Sequence, residues 1–253
     1  MKAVILAAGY ATRLSPLTDS IPKMLLPLAE RPMLDYLVDR IREVEEIEEI
    51  HLVTNAQFAP AFSDWAPEDV RVHDDGTTSN ADRLGAIGDL SFTIERAGLE
   101  GQDLFVVAGD NLIGYSLPDF VRFWQAKGRS AIALHEVSDP TLLSNYGVVE
   151  VDHDDRVVGF EEKPAQPRSN LAATAAYLYR GADLELLRQY LEEGNPTDAP
   201  GNLVAWLHTR VLVYGYRFSG EWHDIGDLGQ LLEADNLLRA SAWLPQRAQY
   251  VPE

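Results

Sequence analysis

The sequence predicts an α/β fold in which a mixed, mostly parallel sheet is flanked by helices. Two observations carry that expectation. Short apolar runs alternate with helix-spaced stretches through the first half, and those runs are apolar on both faces, as strands covered by helices are. Strands are expected at 3–8 (AVILAA), 50–54 (IHLVT), 70–73 (VRVH) and 103–108 (DLFVVA), with helices at 32–46, 80–97 and 117–127. Helix 32–46 places Met33, Leu34, Leu37, Val38 and Ile41 on one face, and Pro32 marks its start. Thr77, Thr78 and Ser79 offer caps for a helix beginning near residue 80.

The second half changes character. SAIALHEV (130–137), YGVVEVD (146–152), RVVGFEEK (156–163) and LAATAAYLYR (171–180) read as strands, with DHDD (152–155) a tight polar turn between two of them. A helix over 182–193 and a Pro/Gly/Asn loop over 194–202 follow. Helix 203–209, strand 211–218 and helix 228–240, capped by Asp227, precede a loosely held tail. No Gly/Ser or Pro-rich linker divides the halves, so one domain over 1–253 is expected, with its parts at 1–115 and 116–240 and a tail at 241–253. IGDL occurs at 87–90 and 225–228, but no extended period supports a repeat.

Composition excludes several function classes. The 253 residues are 46% hydrophobic and 24% charged, a balance that suits a folded chain rather than a disordered one. A formal charge of −19, with no basic run, argues against nucleic acid as a partner. Cysteine is absent, which removes disulfides, thiolate zinc sites and cysteine nucleophiles. The six histidines show neither HExxH nor paired spacing. The apolar stretch at the N-terminus is too short for a signal sequence and nothing resembles a membrane span, so a cytoplasmic protein is expected, with no membrane partner.

The first strand runs into MKAVILAAGYATRLSPLTDSIPKM, where a glycine turn can aim backbone N–H groups at an anion. Gly9 would supply backbone freedom, while Ala7, Ala8 and Ala11 leave room for a ligand. Arg13 offers a planar fork for phosphate oxygens and Lys23 a mobile point charge. Taken alone, these residues read equally as a loop with two solvated cations. A dinucleotide fingerprint fails because Ala11 and Leu14 stand where glycines are needed, and no GK[ST] of a Walker A loop exists. Asp110 ends an apolar strand, the place where ligands collect in open α/β sheets, although an Asp-Asn pair there is also an ordinary turn. With Asp224 it would make a two-carboxylate Mg²⁺ site completed by waters and phosphate oxygens.

The whole string decides between these readings. L-A-A-G-x-x-T-R-L-x-P-L-T-x-x-x-P-K-x-L-L-P over 6–27 is followed in order by AGDN (108–111), YGVVE (146–150), FEEKP (160–164) and WHDIG (222–226). Across residues 1–226 the chain resembles the sugar-1-phosphate nucleotidylyltransferases, most of all the glucose-1-phosphate thymidylyl- and uridylyltransferases. The resemblance implies a Rossmann-like sheet of the nucleotide-diphosphosugar transferase type, with a nucleotide-binding half (1–115) and a sugar-phosphate-binding half (116–240). It implies formation of an NDP-sugar and pyrophosphate from a nucleoside triphosphate (dTTP or UTP) and a sugar 1-phosphate (glucose 1-phosphate).

Residue roles follow from the same resemblance. Leu6, Ala8, Gly9, Thr12, Arg13, Asn80, Gly85 and Asp110 would contact the nucleotide. Asn111, Tyr146, Gly147, Glu162, Lys163 and the backbone near Ala173 and Thr174 would contact the sugar phosphate, with Glu162 accepting from sugar hydroxyls. Asp110 and Asp224 would hold Mg²⁺, the implied cofactor. Arg13, Lys23, Asp110 and Lys163 would carry the catalysis: Arg13 on the leaving phosphates, Lys23 near the α-phosphate, Lys163 on the attacking phosphate. His223 reads as a packing residue.

Three departures stand out. Asn80 is one methylene shorter than the glutamine usual for reading the base, and Pro200 stands where the family often has an arginine. The chain also ends soon after WHDIG, so no regulatory site built from further helices is expected. Two other classes remain open: a non-catalytic nucleotide-sugar-binding regulatory protein, and a transferase using phosphocholine or another phosphorylated alcohol. The sequence does not choose between monomer and homodimer.

Overall fold

The structure, a computed structural model, describes residues 1–252. Strand β1 (Lys2–Leu6) leads through a loop to a short hairpin, β2 (Pro27–Leu28) and β3 (Arg31–Pro32), and then to helix α1 (Met33–Arg42). Next come β4 (Glu49–Thr54), α2 (Ala59–Trp65), β5 (Val70–Asp74), α3 (Ala86–Ala97) and β6 (Leu104–Ala108). β1 pairs in parallel with both β4 and β6, and β4 with β5. Side chains of β1 alternate between two apolar layers. Ala3 and Ile5 meet α1 and α2 residues such as Leu37 and Phe62, together with Phe120, while Val4 and Leu6 meet α3 residues such as Ile87 and Leu90. Both faces of the parallel strands are therefore buried, as their composition requires.

After β6 come β7 (Asn111–Ile113), α4 (Leu117–Lys127), β8 (Ser130–Glu136), β9 (Gly147–Val151), β10 (Val157–Glu162) and β11 (Leu171–Tyr179). The chain closes with α5 (Gly181–Leu184), α6 (Leu187–Glu192), α7 (Gly201–Leu207), β12 (Val213–Arg217), β13 (Trp222–Asp224) and α8 (Leu228–Ser241). β11 runs antiparallel to β6, β8 and β9, so one nine-stranded sheet carries both halves of the chain. Parallel pairing of β8 with β12 and the antiparallel β9–β10 pair complete it. Among the described residues, no helix is long and apolar enough to cross a membrane.

A third, smaller apolar cluster lies apart from the sheet layers. Leu14, Leu26, Leu28 and Met33 pack on Leu112, Ile225, Leu231 and Ala234. It fastens the segment carrying Arg13 and Lys23 to β7, β13 and α8.

Several expectations need correction. The helix expected from residue 80 begins at Ala86. Residues 78–82 form a turn in which the Asp82 carboxylate accepts the N–H groups of Thr78 and Ser79 (3.1 and 2.8 Å), so these residues bind the turn and cap no helix. Gly85 is the actual N-cap, with φ 79°, and a Cβ there would lie 2.7 Å from the Thr197 carbonyl oxygen. The expected 182–193 helix divides into α5 and α6. The tail is tied down: Arg247 N–H donates to Asn236 Oδ1 (2.7 Å) and the Tyr250 hydroxyl to the Pro27 carbonyl (2.8 Å). Its last residue, Glu253, lies outside the described residues.

Candidate active site

The end of β1 is clamped by its neighbours. Ala7 N–H donates to Val53 O, Gly109 N–H to Leu6 O and Asn55 Nδ2 to Ala8 O, each at 2.9 Å. Gly9 does not use left-handed backbone; it leaves open space where a Cβ would stand. The left-handed residue of this turn is Ala11 (φ 46°), whose carbonyl accepts the Thr18 hydroxyl at 3.0 Å. Gly9 therefore does not supply the unusual conformation expected of it; Ala11 does.

Strands β7 and β13 pair antiparallel with Asn111 opposite Asp224, and Ile225 N–H donates to the Asp110 carbonyl at 3.2 Å. This short ladder brings two aspartates from distant parts of the chain to one place. Lys23, only 8% exposed, reaches in from the other side, donating to Asp110 Oδ2 (2.6 Å) and the Ile225 carbonyl (2.8 Å). Burial, and next the like charge of Asp110, push the Asp224 carboxyl up to about 6, against the pull of Lys23, Arg13 and Lys163. Two acids and three cations thus act on one another across a single space.

Lys163 follows β10 in a left-handed conformation (φ 48°), and its N–H donates to the Tyr146 carbonyl at 3.0 Å. A non-glycine residue held there marks a position that the surrounding structure imposes. Beside it, burial raises the Glu162 carboxyl, opposed by the Lys163 charge. Gly147 allows this crowding, because a Cβ there would stand 2.6 Å from Phe160 Cζ and 2.9 Å from Glu162 Oε2.

Three cavities adjoin at this point. The first, of about 450 Å³, is lined by Thr12, Arg13, Lys23, Asp110, Lys163 and Asp224, among others. The second, of about 430 Å³, is walled by Leu6, Ala8, Gly9, Asn80, Gly85 and Asp110 together with Met24, Arg83 and Asp89. The third, of about 240 Å³, takes in Asp110, Asn111, Tyr146, Gly147, Glu162, Lys163, Ala173 and Asp224. Among the described residues, Asp110 alone lines all three.

Thr174 is not part of this wall. Its side chain is buried, 1% exposed, and donates to the Ala133 carbonyl at 3.1 Å. β11 shifts register against β8 between Ala173 and Tyr177, with Ala175 at φ 51°, so Ala173, Ala175 and Tyr177 line the cavity instead. Trp222 lines it too, its indole N–H donating to Asn111 Oδ1 at 2.7 Å, and sequence reasoning missed it although it lies inside WHDIG. Pro200 borders the second and third cavities, and the cation on that side is Arg83, ion-paired to Asp198 at 3.0 Å. Among the described residues, no group of three or more His, Cys, Asp or Glu side chains gathers to hold a metal ion. Asp110 and Asp224 offer two hard oxygen donors, the kind Mg²⁺ accepts alongside water and phosphate.

Comparisons with known proteins agree with this arrangement. The family model described as nucleotidyl transferase matches residues 2–241. The chain is 32% identical over 250 residues to a glucose-1-phosphate thymidylyltransferase of Streptomyces antibioticus, covering 93% of this chain and 65% of that protein. It is 29% identical over 239 residues to the bifunctional protein GlmU of Methanococcus aeolicus, covering 93% of this chain and 54% of that protein. The chain thus spans between half and two thirds of the length of these relatives. Its fold superposes on a putative glucose-1-phosphate thymidylyltransferase from Bacillus anthracis with a TM-score of 0.76 at 25% identity, covering 94% and 95% of the two chains. With the match running from the first strand into the last helix, the chain belongs to the nucleotidyl transferase family.

Proposed function

We propose that the chain joins a nucleoside triphosphate, dTTP or UTP, to a sugar 1-phosphate, glucose 1-phosphate, releasing pyrophosphate. The observation that carries this reading is the position of Asp110 at the junction of three cavities, faced by Lys23 at 2.6 Å. The second cavity, largely apolar around Leu6, Ala8 and Met24, takes the nucleoside; the third, with Glu162 and Tyr146, takes the sugar; the first takes the phosphates. The nucleotide-binding half and the sugar-binding half of one domain meet there.

In the reaction a sugar-phosphate oxygen attacks the α-phosphorus in line. The new P–O bond forms as the bond to the β-phosphate breaks, and the electron pair leaves with pyrophosphate. The attacking oxygen is already anionic at neutral pH, so no general base is required. The obstacle is mutual repulsion of two anions, and catalysis rests on position and charge. Arg13 holds the leaving phosphates and Lys163 the attacking one, while Lys23 fixes the Asp110 carboxylate. Asp110 and Asp224 would hold Mg²⁺, and the ion, when bound, neutralises charge at the α-phosphate. Burial, and next the repulsion from Asp110, raise Asp224 to about 6, which fits two acids arranged for a divalent cation.

The test is pyrophosphate release, scored for each nucleoside triphosphate against each sugar 1-phosphate with Mg²⁺ present. Release from a pyrimidine triphosphate and a hexose 1-phosphate is expected. Binding of both substrates without release would instead identify a regulatory nucleotide-sugar binder.

A further inference from the structure

The second cavity holds one polar side chain that the proposed chemistry leaves unexplained. Asn80, Arg83 and Asp198 border it from exposed loops, but Asp89 is 5% exposed. No protein N–H donates to its carboxyl, whose Oδ1 is buried. The group against it is a second acid. Asp75 takes the Thr77 N–H and hydroxyl on Oδ1, both at 2.7 Å, while no N–H reaches its buried Oδ2. The Asp75 and Asp89 side chains share a hydrogen bond, which two carboxylates can do only if one of them keeps a proton.

The division of labour between the two acids follows from their surroundings. Asp75 is fixed by two donors from Thr77. Asp89 has no such donors, and burial, then the charge of Asp75, push its carboxyl up to about 8. Asp89 therefore carries the proton and directs it at Asp75, and its remaining hydrogen-bonding capacity is that of an acceptor. A carboxyl that no protein N–H reaches, on a side chain lining a cavity, is open to a donor supplied by a ligand.

The repeated IGDL tetrapeptide sharpens the contrast. In the second copy Asp227 caps α8, accepting the Gln230 N–H at 2.9 Å. In the first copy Asp89 stands in the opening turn of α3, yet Gly85 is the N-cap and Asp89 bonds no backbone N–H through its side chain. The same residue in the same tetrapeptide here lines a cavity wall and caps no helix.

We infer that Asp89, positioned by Asp75, reads the edge of the nucleotide base by accepting the ring N–H of a uracil- or thymine-type pyrimidine. The inference rests on the proposed reading of the second cavity as the nucleoside site. It assigns base recognition to the first turn of α3 rather than to the loop amide of Asn80.

The probe is UTP against N3-methyl-UTP, which lacks the ring N–H, with affinities measured by calorimetry in the absence of sugar phosphate. The unmodified protein is expected to bind UTP at least tenfold more tightly than the methylated analogue. Asp89→Ala should reduce that ratio to threefold or less, whereas Asp89→Asn, which keeps a carbonyl acceptor and an N–H for Asp75, should retain it. Equal affinity of the unmodified protein for the two nucleotides overturns the contact without any variant. An undiminished ratio in folded Asp89→Ala also overturns it. If the unmodified protein discriminates between the nucleotides yet releases no pyrophosphate with any sugar phosphate, the catalytic reading fails and the base contact stands.

Discussion

Asp110→Asn separates what this aspartate does for the fold from what it does for the chemistry. The substitution removes a charged acceptor 2.6 Å from Lys23 Nζ. A hydrogen bond to a charged group contributes about 1.5–3 kcal/mol, and the pair is only partly buried, which places the loss at the lower end. Against this, the like-charge repulsion that helps raise Asp224 disappears, and Lys23 keeps the Ile225 carbonyl at 2.8 Å. The net change is about 1 kcal/mol or less, a shift in Tm of roughly 2–4 °C for a chain of this size. Turnover should respond on a different scale. If Asp110 is one of two acids holding Mg²⁺, as proposed, its loss at the junction of the three cavities should lower kcat by about 10²-fold or more, equivalent to about 2.7 kcal/mol of transition-state stabilisation. The assay is pyrophosphate release across a Mg²⁺ titration, paired with a thermal melt. Turnover within threefold of the unmodified protein would refute the reasoning, and so would a loss of activity accompanied by unfolding.

Three further outcomes follow from the geometry. Lys163→Met should raise the KM for sugar 1-phosphate about tenfold or more while leaving calorimetric UTP affinity unchanged, because Lys163 lines the first and third cavities but not the second, the one proposed for the nucleoside. Gly85→Ala should cost about 2–4 kcal/mol, read as a fall in Tm, since its left-handed φ of 79° and the Thr197 carbonyl 2.7 Å from the new Cβ both oppose it. The third concerns acid stability. His51 on β4 is fully buried against His73 on β5, Nδ1 to Nε2 at 2.9 Å, and burial, then the neighbouring His73, push it down to about 4. A histidine whose folded pKa is depressed contributes stability that is intact above its unfolded value of about 6.5 and is lost as pH falls from there toward 4. Melting temperature should fall across that window, and His51→Phe should flatten the fall; an unchanged slope would exclude this pair as its cause.

The parallel half of the sheet was legible because β1, β4 and β6 are buried on both faces and carry continuous apolar runs. The start of α3 was not. Thr77, Thr78 and Ser79 mimic a helix cap in sequence, but the true start is set by Gly85 against Thr197, more than a hundred residues away. The strands β7 and β13 span three residues each, too few for any periodicity, and their pairing links segments that composition does not connect. Asp110, Asp224, Lys23 and Lys163 were named through family resemblance, and the structure gathers them. Thr174 was misplaced because a register shift in β11 reverses which side chains face the cavity. Asp89 was invisible for a related reason: inside an expected helix from 80 to 97 it reads as one more polar residue on an amphipathic face.

The small apolar cluster beneath the site has a consequence for anyone grafting parts between relatives. Leu14, Leu26 and Leu28 travel with the basic loop, whereas Ile225, Leu231 and Ala234 travel with the acidic strand and the helix behind it. These two pieces meet through a shared greasy seam, so a chimera exchanging one alone would inherit mismatched shapes there. Lys23 would then drift from the Ile225 carbonyl that it bonds at 2.8 Å even with every charged residue intact, and a swap intended to retune the substrate would have to carry both sides of the seam together.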